Sequence, residues 1–262
     1  MNILDTIIAH KHKELAARKA LLSFAALEKQ AVEIKSNYSL KEFLLNTEKS
    51  GIIAEFKRKS PSLGIINDQV NIKEVTAAYT AHGASALSVL TDAQFFGGSD
   101  ADLENARTNA IPILRKDFII DEYQIAEAKK IGANVVLLIA ACLSPARVSS
   151  LAEYACSLGL EVLLELHNEE ELMHICDATT IVGINNRDLK TFKVDIERSL
   201  LMATKIPVEK IKVAESGINS IENIRLFKEH GFKGFLMGEH FMKTTNPGAA
   251  FKNFVNSLNN QS

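Results

Sequence analysis

Ile52-Ile53-Ala54-Glu55-Phe56-Lys57-Arg58-Lys59-Ser60-Pro61-Ser62 begins as a buried strand and ends in a charged, turn-forming loop. A strand alternates its faces, so Ile53, Glu55 and Lys57 share one side while Ile52, Ala54 and Phe56 share the other. The Phe56 side is wholly apolar. The other starts apolar and ends with an acid and a base. An unpaired buried charge is costly, so two charges on one strand point to an end that opens onto a polar site. An exposed edge strand with an incidental Glu/Lys pair is the bland alternative, and the apolar flanks weigh against it.

Working outward, the chain alternates from residue 51 onward. Strand patterns cover 51–57, 86–91, 111–115, 135–140, 161–165, 181–185, 211–215 and 233–237. Helical patterns cover 71–82, 100–108, 121–131, 144–158, 168–176, 194–204, 219–230 and 246–258. Start signals support several helices: Asp121 before Glu122-Tyr123, Ser144-Pro145, and Asn219 before Ser220-Ile221-Glu222. Gly83, Gly132, Gly159 and Gly231 follow helical runs and fit C-terminal caps. Strands that alternate with helices form parallel sheets, because parallel neighbours need a crossover. Eight such units fit a closed (β/α)8 barrel, a TIM barrel, better than a doubly wound open sheet. No glycine-rich dinucleotide fingerprint follows the first strand.

Upstream, residues 3–30 are charged and helical in pattern, with Ile3, Leu4, Ile7, Ile8 and Leu15 forming an amphipathic face. A second, shorter helix starts at Ser39, where Glu42 completes a capping box. The expectation is a single barrel domain over 1–262, with 1–48 as a helical N-terminal extension.

The 262 residues are 47% hydrophobic and 24% charged, with a formal net charge of -2. That composition supports a sizeable core and provides no electrostatic footprint for nucleic acid or an anionic membrane surface. The longest apolar run, 135–143, is too short for a membrane-spanning helix, and the N-terminus lacks a signal-peptide pattern. Cys142, Cys156 and Cys176 are odd in number and not spaced as metal ligands. They read as reduced thiols in a cytoplasmic protein with no bound metal.

A barrel of this class carries its active site at the C-terminal ends of its strands. Glu55, Lys57, Lys116, Glu165, Asn185 and Glu215 come from five strand ends and can converge on one mouth. Core packing alone would not produce such a set. Asp117 and Asn186 read instead as solvated loop residues or caps. Arg115 reads the same way, since alternation puts it on the opposite face from Lys116. Ser216-Gly217 and Gly238 fall where the loops after strands seven and eight form the frequent phosphate site of such barrels. Glu239 is awkward there unless its carboxylate points away. Phe95-Phe96-Gly97-Gly98-Ser99 reads either as a hinged lid or as a packed turn.

These stretches resemble the indole-3-glycerol phosphate synthase family. The similarity lies in residues 53–62, Pro112-Ile113-Leu114-Arg115-Lys116-Asp117-Phe118-Ile119, Leu164-Glu165-Leu166-His167, Gly183-Ile184-Asn185-Asn186-Arg187-Asp188-Leu189 and Ala214-Glu215-Ser216-Gly217-Ile218. The opening 3–11 is similar to that family's N-terminal helix. The resemblance covers nearly the whole chain and implies a carboxy-lyase of tryptophan biosynthesis. It would act on one phosphorylated small molecule, with no cofactor. A cytoplasmic monomer is expected over an obligate oligomer. The resemblance also implies Lys116 as general acid, its pKa lowered by desolvation or by the nearby Lys57. Lys57 would also contact the substrate's anionic groups, and Glu165 would act as a base or charge stabiliser. It places Glu55 and Glu215 as orienting groups, and Asn185, Arg187 and Ser60 around an aryl carboxylate. Ser216, Gly217, Gly238 and the N–H of Glu239 match a phosphate cradle, although a serine often stands where this chain has Glu239. Leu90, Leu137 and Phe118 read equally as walls for an aromatic ring or as core. Another phosphosugar barrel, an isomerase or epimerase, would need the cradle but not the Lys57, Lys116 and Arg187 cluster. A non-catalytic phosphate-binding barrel would not need the intact set of charged strand ends.

Overall fold

The structure, a computed structural model, describes residues 3–35, 37–188 and 193–260. Leu189 of the motif above lies outside them. Among the described residues, eight parallel strands close into a barrel. They are β1 (Ile52–Phe56), β2 (Ala86–Leu90), β3 (Ile113–Lys116), β4 (Val135–Ile139), β5 (Glu161–Leu166), β6 (Ile181–Asn185), β7 (Ile211–Glu215) and β8 (Phe232–Met237). Strand β1 pairs on one side with β2 and on the other with β8, so the opening stretch is not an edge.

The extension comprises α1 (Ile3–Leu21), α2 (Phe24–Val32) and α3 (Leu40–Leu45). Helices α4 (Ile72–Ala81), α5 (Asp100–Ala106), α6 (Glu122–Lys130) and α7 (Pro145–Ser157) follow β1 to β4. Helices α8 (Ile196–Ala203), α9 (Ile221–Glu229) and α10 (Pro247–Asn260) follow β6 to β8. After β5 the expected α-helix is instead a 3-10 segment, Glu169–His174. The His174 ring sits between the carbonyls of Glu171 and Leu143, 3.0 Å from each, and ties that short turn down. The third strand begins at Ile113 rather than 111, because the Ile111 N–H still closes a turn onto the Asn109 carbonyl. The first helical stretch is two helices, broken where the Ser23 side chain caps α2. The cap of α9 is Ser220 rather than Asn219.

Strand alternation sorts the core into two layers. Ile52, Ala54 and Phe56 pack outward among the helices. Ile53, Leu114, Leu137, Leu163, Ile181 and Val213 fill the barrel. Leu40 and Leu44 of α3 join this inner cluster, and α3 packs on β8. The helix start is held by Glu161 at the entry of β5, which accepts from Ser39 Oγ at 2.7 Å and from the Leu40 N–H at 2.5 Å. Ser39 in turn caps Glu42 at 3.1 Å. The extension therefore plugs the N-terminal end of the barrel with α3. It packs α2 along α6, and α1 reaches the opposite mouth, where Ile3, Leu4 and Ile7 line the cavity.

Among the described residues, no helix is long and apolar enough to cross a membrane.

Candidate active site

At the C-terminal ends of the strands lies a cavity of about 750 Å³. All twelve residues singled out from sequence line it: Glu55, Lys57, Ser60, Lys116, Glu165, Asn185, Arg187, Glu215, Ser216, Gly217, Gly238 and Glu239. A smaller recess beside it, of about 60 Å³, is walled by Leu90, Phe96, Phe118, Leu137 and Ile139, with Glu55, Lys57, Lys116 and Asp117. Leu137 belongs at once to the barrel core and to this recess.

The polar centre is built from inward-facing positions near the strand ends. Lys116 Nζ lies 3.2 Å from Glu165 Oε2. Asn185 donates to Glu165 Oε1 at 3.1 Å, and its own Oδ1 accepts from the Arg187 N–H at 3.0 Å. Lys57 Nζ sits 2.7 Å from Glu55 Oε1. Two glycines make room for these carboxylates. A methyl group at Gly183 would fall 2.0 Å from Glu215 Oε1, and one at Gly238 would fall 2.8 Å from Glu55 Oε1. In register, Gly183 stands beside Glu165 on β5, and Asn185 stands beside Glu215 on β7. The absent side chain on β6 lets acids from β5 and β7 approach one another.

That approach separates their proton affinities. Burial raises the Glu215 carboxyl, and the Glu165 charge beside it raises it further, well above the usual carboxylate range. Glu165 resists the same burial: Lys116, His167 and Asn185 hold it well below that range. The two carboxyls are pushed in opposite directions, as expected of two acids sharing a site.

The expectation that Lys116 titrates near neutrality is overturned. Burial does oppose its charge, but Glu165, Glu215 and Glu55 more than reverse the effect and hold the ammonium above its ordinary range. Lys57 does not supply the expected repulsion, since its charge is compensated by Glu55.

Three residues read as solvated are buried. Arg115 does face away from the cavity, but among helices: it is 1% exposed and reaches Gln124 O, Thr91 and Asp100. Asp117 is buried against Lys11 at 2.8 Å. Asn186 is also buried. Its side chain donates to the Ser216 carbonyl at 2.7 Å and its N–H to the Glu215 carbonyl at 2.8 Å. It thereby staples the turn where Ser216 (φ 66°) and Gly217 (φ 71°) both sit in the left-handed region. For Ser216, a residue with a side chain, that conformation stores strain at the cavity wall. Glu239 does not point away from cations: it pairs with Arg187 at 3.3 Å and with Lys243 at 2.5 Å. The Phe95–Ser99 segment is packed: it begins as the end of a helical turn, Ala93–Phe96, and a methyl group at Gly98 would lie 2.0 Å from the Leu90 carbonyl oxygen. Ser60 lies in a short antiparallel hairpin, with Lys59 opposite Ile65, over the cavity rim.

His167, two residues beyond Glu165, is buried and joins this centre. Its Nε2 lies 3.1 Å from Glu165 Oε1 and its Nδ1 3.7 Å from Glu171 Oε2. Burial opposes its charge, but these two carboxylates raise it to about 9. Strand alternation carries the signal, since 165 and 167 fall on one side.

A family model described as indole-3-glycerol phosphate synthase matches residues 4–254. The chain belongs to the indole-3-glycerol phosphate synthase family. A synthase of that name from Bacteroides thetaiotaomicron is 47% identical over 258 residues, covering 98% of this chain and 99% of the relative. One from Bordetella pertussis is 41% identical, with 97% and 99% covered. Among solved structures, a chain of the tryptophan synthase complex from Pyrococcus furiosus superposes with a TM-score of 0.61 at 16% identity. It covers 82% of this chain and 100% of its own, and the likeness is one of fold. Membership of the synthase family thus comes from sequence along the whole barrel.

Proposed function

We propose that the protein converts 1-(2-carboxyphenylamino)-1-deoxyribulose 5-phosphate to indole-3-glycerol phosphate, with loss of carbon dioxide and water, as a soluble carboxy-lyase of tryptophan biosynthesis. The observation that carries this reading is the lysine–carboxylate centre of a family member. An ammonium, Lys116, is held 3.2 Å from Glu165, whose carboxyl pKa is lowered, with the raised carboxyl of Glu215 alongside, beside an apolar recess.

The ring carbon bearing the carboxylate bonds to the ketone carbon, and the ketone oxygen takes a proton. Carbon dioxide then leaves from that ring carbon and restores the aromatic ring. The new hydroxyl next takes a second proton and departs as water, and a base removes the proton from the neighbouring carbon. Two protons are delivered and one is recovered, so each turnover draws one from solvent. Lys116 supplies the ketone oxygen, and Lys57 is the other ammonium beside the recess. Glu165 balances the positive charge that develops on nitrogen and stands ready as base. Glu55 and Glu215 orient the lysines and the sugar hydroxyls.

Arg187, with Ser60 and Asn185, takes the aryl carboxylate, for which a guanidinium fork is suited. Ser216, Gly217, Gly238 and the Glu239 N–H form the phosphate cradle. Occupation of these two sites requires the Glu239 carboxylate to yield Arg187 and Lys243. We read the chain as one domain, 1–262, with 1–48 as its extension, acting as a cytoplasmic monomer.

The test is direct: the purified protein is incubated with this substrate and indole fluorescence is followed. Absence of product across a wide pH range sinks the reading. Lys116→Ala should lose kcat by about a hundredfold or more with KM little changed; equal losses in both would place Lys116 in ground-state binding.

A further inference from the structure

Along α1, Ile3, Ile7, Lys11 and Leu15 recur every four residues and share one face. Ile3 and Ile7 line the cavity, and Leu15 packs with Leu27 and Tyr123. Lys11 interrupts this stripe with a charge, yet it is 1% exposed. Its ammonium lies 2.9 Å from Asp92 Oδ2, 2.8 Å from Asp117 Oδ1 and 2.9 Å from Glu14 Oε2.

The two aspartates belong to different walls of the site. Asp92 caps the turn after β2, accepting from the N–H groups of Phe95 at 2.6 Å and Phe96 at 3.2 Å, and Phe96 lines the cavity. Asp117 directly follows Lys116. Its other oxygen takes the Thr91 hydroxyl at 2.6 Å, Arg115 lies 3.5 Å away, and the Phe118 N–H donates to Oδ1 at 2.8 Å. The Thr91 N–H in turn donates to the Lys116 carbonyl at 3.3 Å. Among the fully buried members, Lys11 and Arg115 match Asp92 and Asp117 in charge, while the partly exposed Glu14 and Asp100 also reach the two cations. Removing one member leaves a charge without compensation.

We infer that Lys11 is a positioning residue for the reaction: by gripping Asp117 its ammonium fixes the backbone that carries Lys116, and by gripping Asp92 it seats α1 against the Phe96 wall of the cavity. Closing the mouth and aiming the acid are then a single structural event. The inference rests on the function proposed above.

The experiment uses full-length Lys11→Met, Asp117→Asn, Asp92→Asn and the Lys11→Met/Asp117→Asn double variant. Each is assayed for kcat and KM on the carboxyphenylamino-deoxyribulose phosphate, and circular dichroism checks the barrel. Lys11→Met and Asp117→Asn should each keep the native spectrum and lose kcat about tenfold or more, and the double variant should be no slower than the slower single, because both act through one contact. Asp92→Asn, which touches the Phe96 wall rather than the Lys116 strand, should chiefly raise KM. The inference is overturned by a folded Lys11→Met enzyme whose kcat stays near that of the unmodified protein, or by losses that multiply in the double variant. If Lys11→Met does not fold, the comparison of the two aspartate variants decides, and equal kcat losses for both overturn it. Failure of the unmodified protein to form product would instead count against the proposed function.

Discussion

Glu165 and Glu215 meet over Gly183 with proton affinities shifted in opposite directions, Glu215 toward the protonated form. A protonated carboxyl and a carboxamide are near-isosteric, so Glu215→Gln should retain kcat within about tenfold, whereas Glu165→Gln should lose about 10²- to 10⁴-fold, read by steady-state kinetics. His167 provides a second check. Its pKa rises from 6.5 to about 9 on folding. A raised value means the imidazolium stabilises the fold fully below pH 6.5, and that contribution is lost as pH climbs through about 9. Denaturant titrations should show a loss of ~3 kcal/mol across that window, absent in His167→Gln. The position of His167 beyond Glu165 follows from alternation, but its partner Glu171 arrives through a turn that periodicity misread as an α-helix. The same limit explains Lys116. Its charge and face are written in the strand, but the sign of its pKa shift depends on which neighbours win, and three carboxylates outweigh burial.

The elements do separable work. Strand β6 gives up a side chain at Gly183 so that its neighbours can carry acids. Gly183→Ala should displace Glu215 and lower kcat about tenfold or more, and a variant with unimpaired kcat would show that the carboxylate has another place to go. At the other end of the barrel, Glu161 accepts from the Ser39 hydroxyl and the Leu40 N–H and holds α3 in the bottom. Glu161→Ala should cost about 1–2 kcal/mol of stability, measured by denaturant unfolding, with kcat untouched, because the plug lies far from the chemistry. The strands, most helices and the glycine caps were legible from periodicity and turn chemistry. Gly83, Gly132, Gly159 and Gly231 all adopt positive φ. Strand 111–115 was misplaced because Arg107 and the turn at Asn109 capture the backbone that would have continued it.

At the scale of the whole molecule, the extension wraps the barrel from its plugged end to its mouth, and the Lys11 knot joins the two. Asp117 carries an acid signature for that knot. Burial opposes its ionisation, but Lys11 and Arg115 lower its pKa from 3.8 to about 2. Its contribution is therefore present above pH 3.8 and lost as pH falls through about 2. Unfolding free energy should drop by ~2 kcal/mol more over that interval in the unmodified protein than in Asp117→Asn.

The sequence alone determined the eightfold alternation, the end of the barrel at which polar groups collect, and the strand-end residues Glu55, Lys57, Lys116, Glu165, Asn185 and Glu215 that line the cavity, because strand periodicity and barrel closure leave inward-facing strand ends nowhere else to go. Only the tertiary structure decided that Lys11, Arg115, Asp117 and Asn186 are buried, that Lys116 is held in its charged form and that two facing acids shift in opposite directions. Those outcomes depend on partners from other elements, some as far apart as Lys11 and Asp117, whose distances no local pattern records. The stretch 52–62 contains both kinds of information: its alternation fixed Glu55 and Lys57 on one face, and the closed barrel paired them.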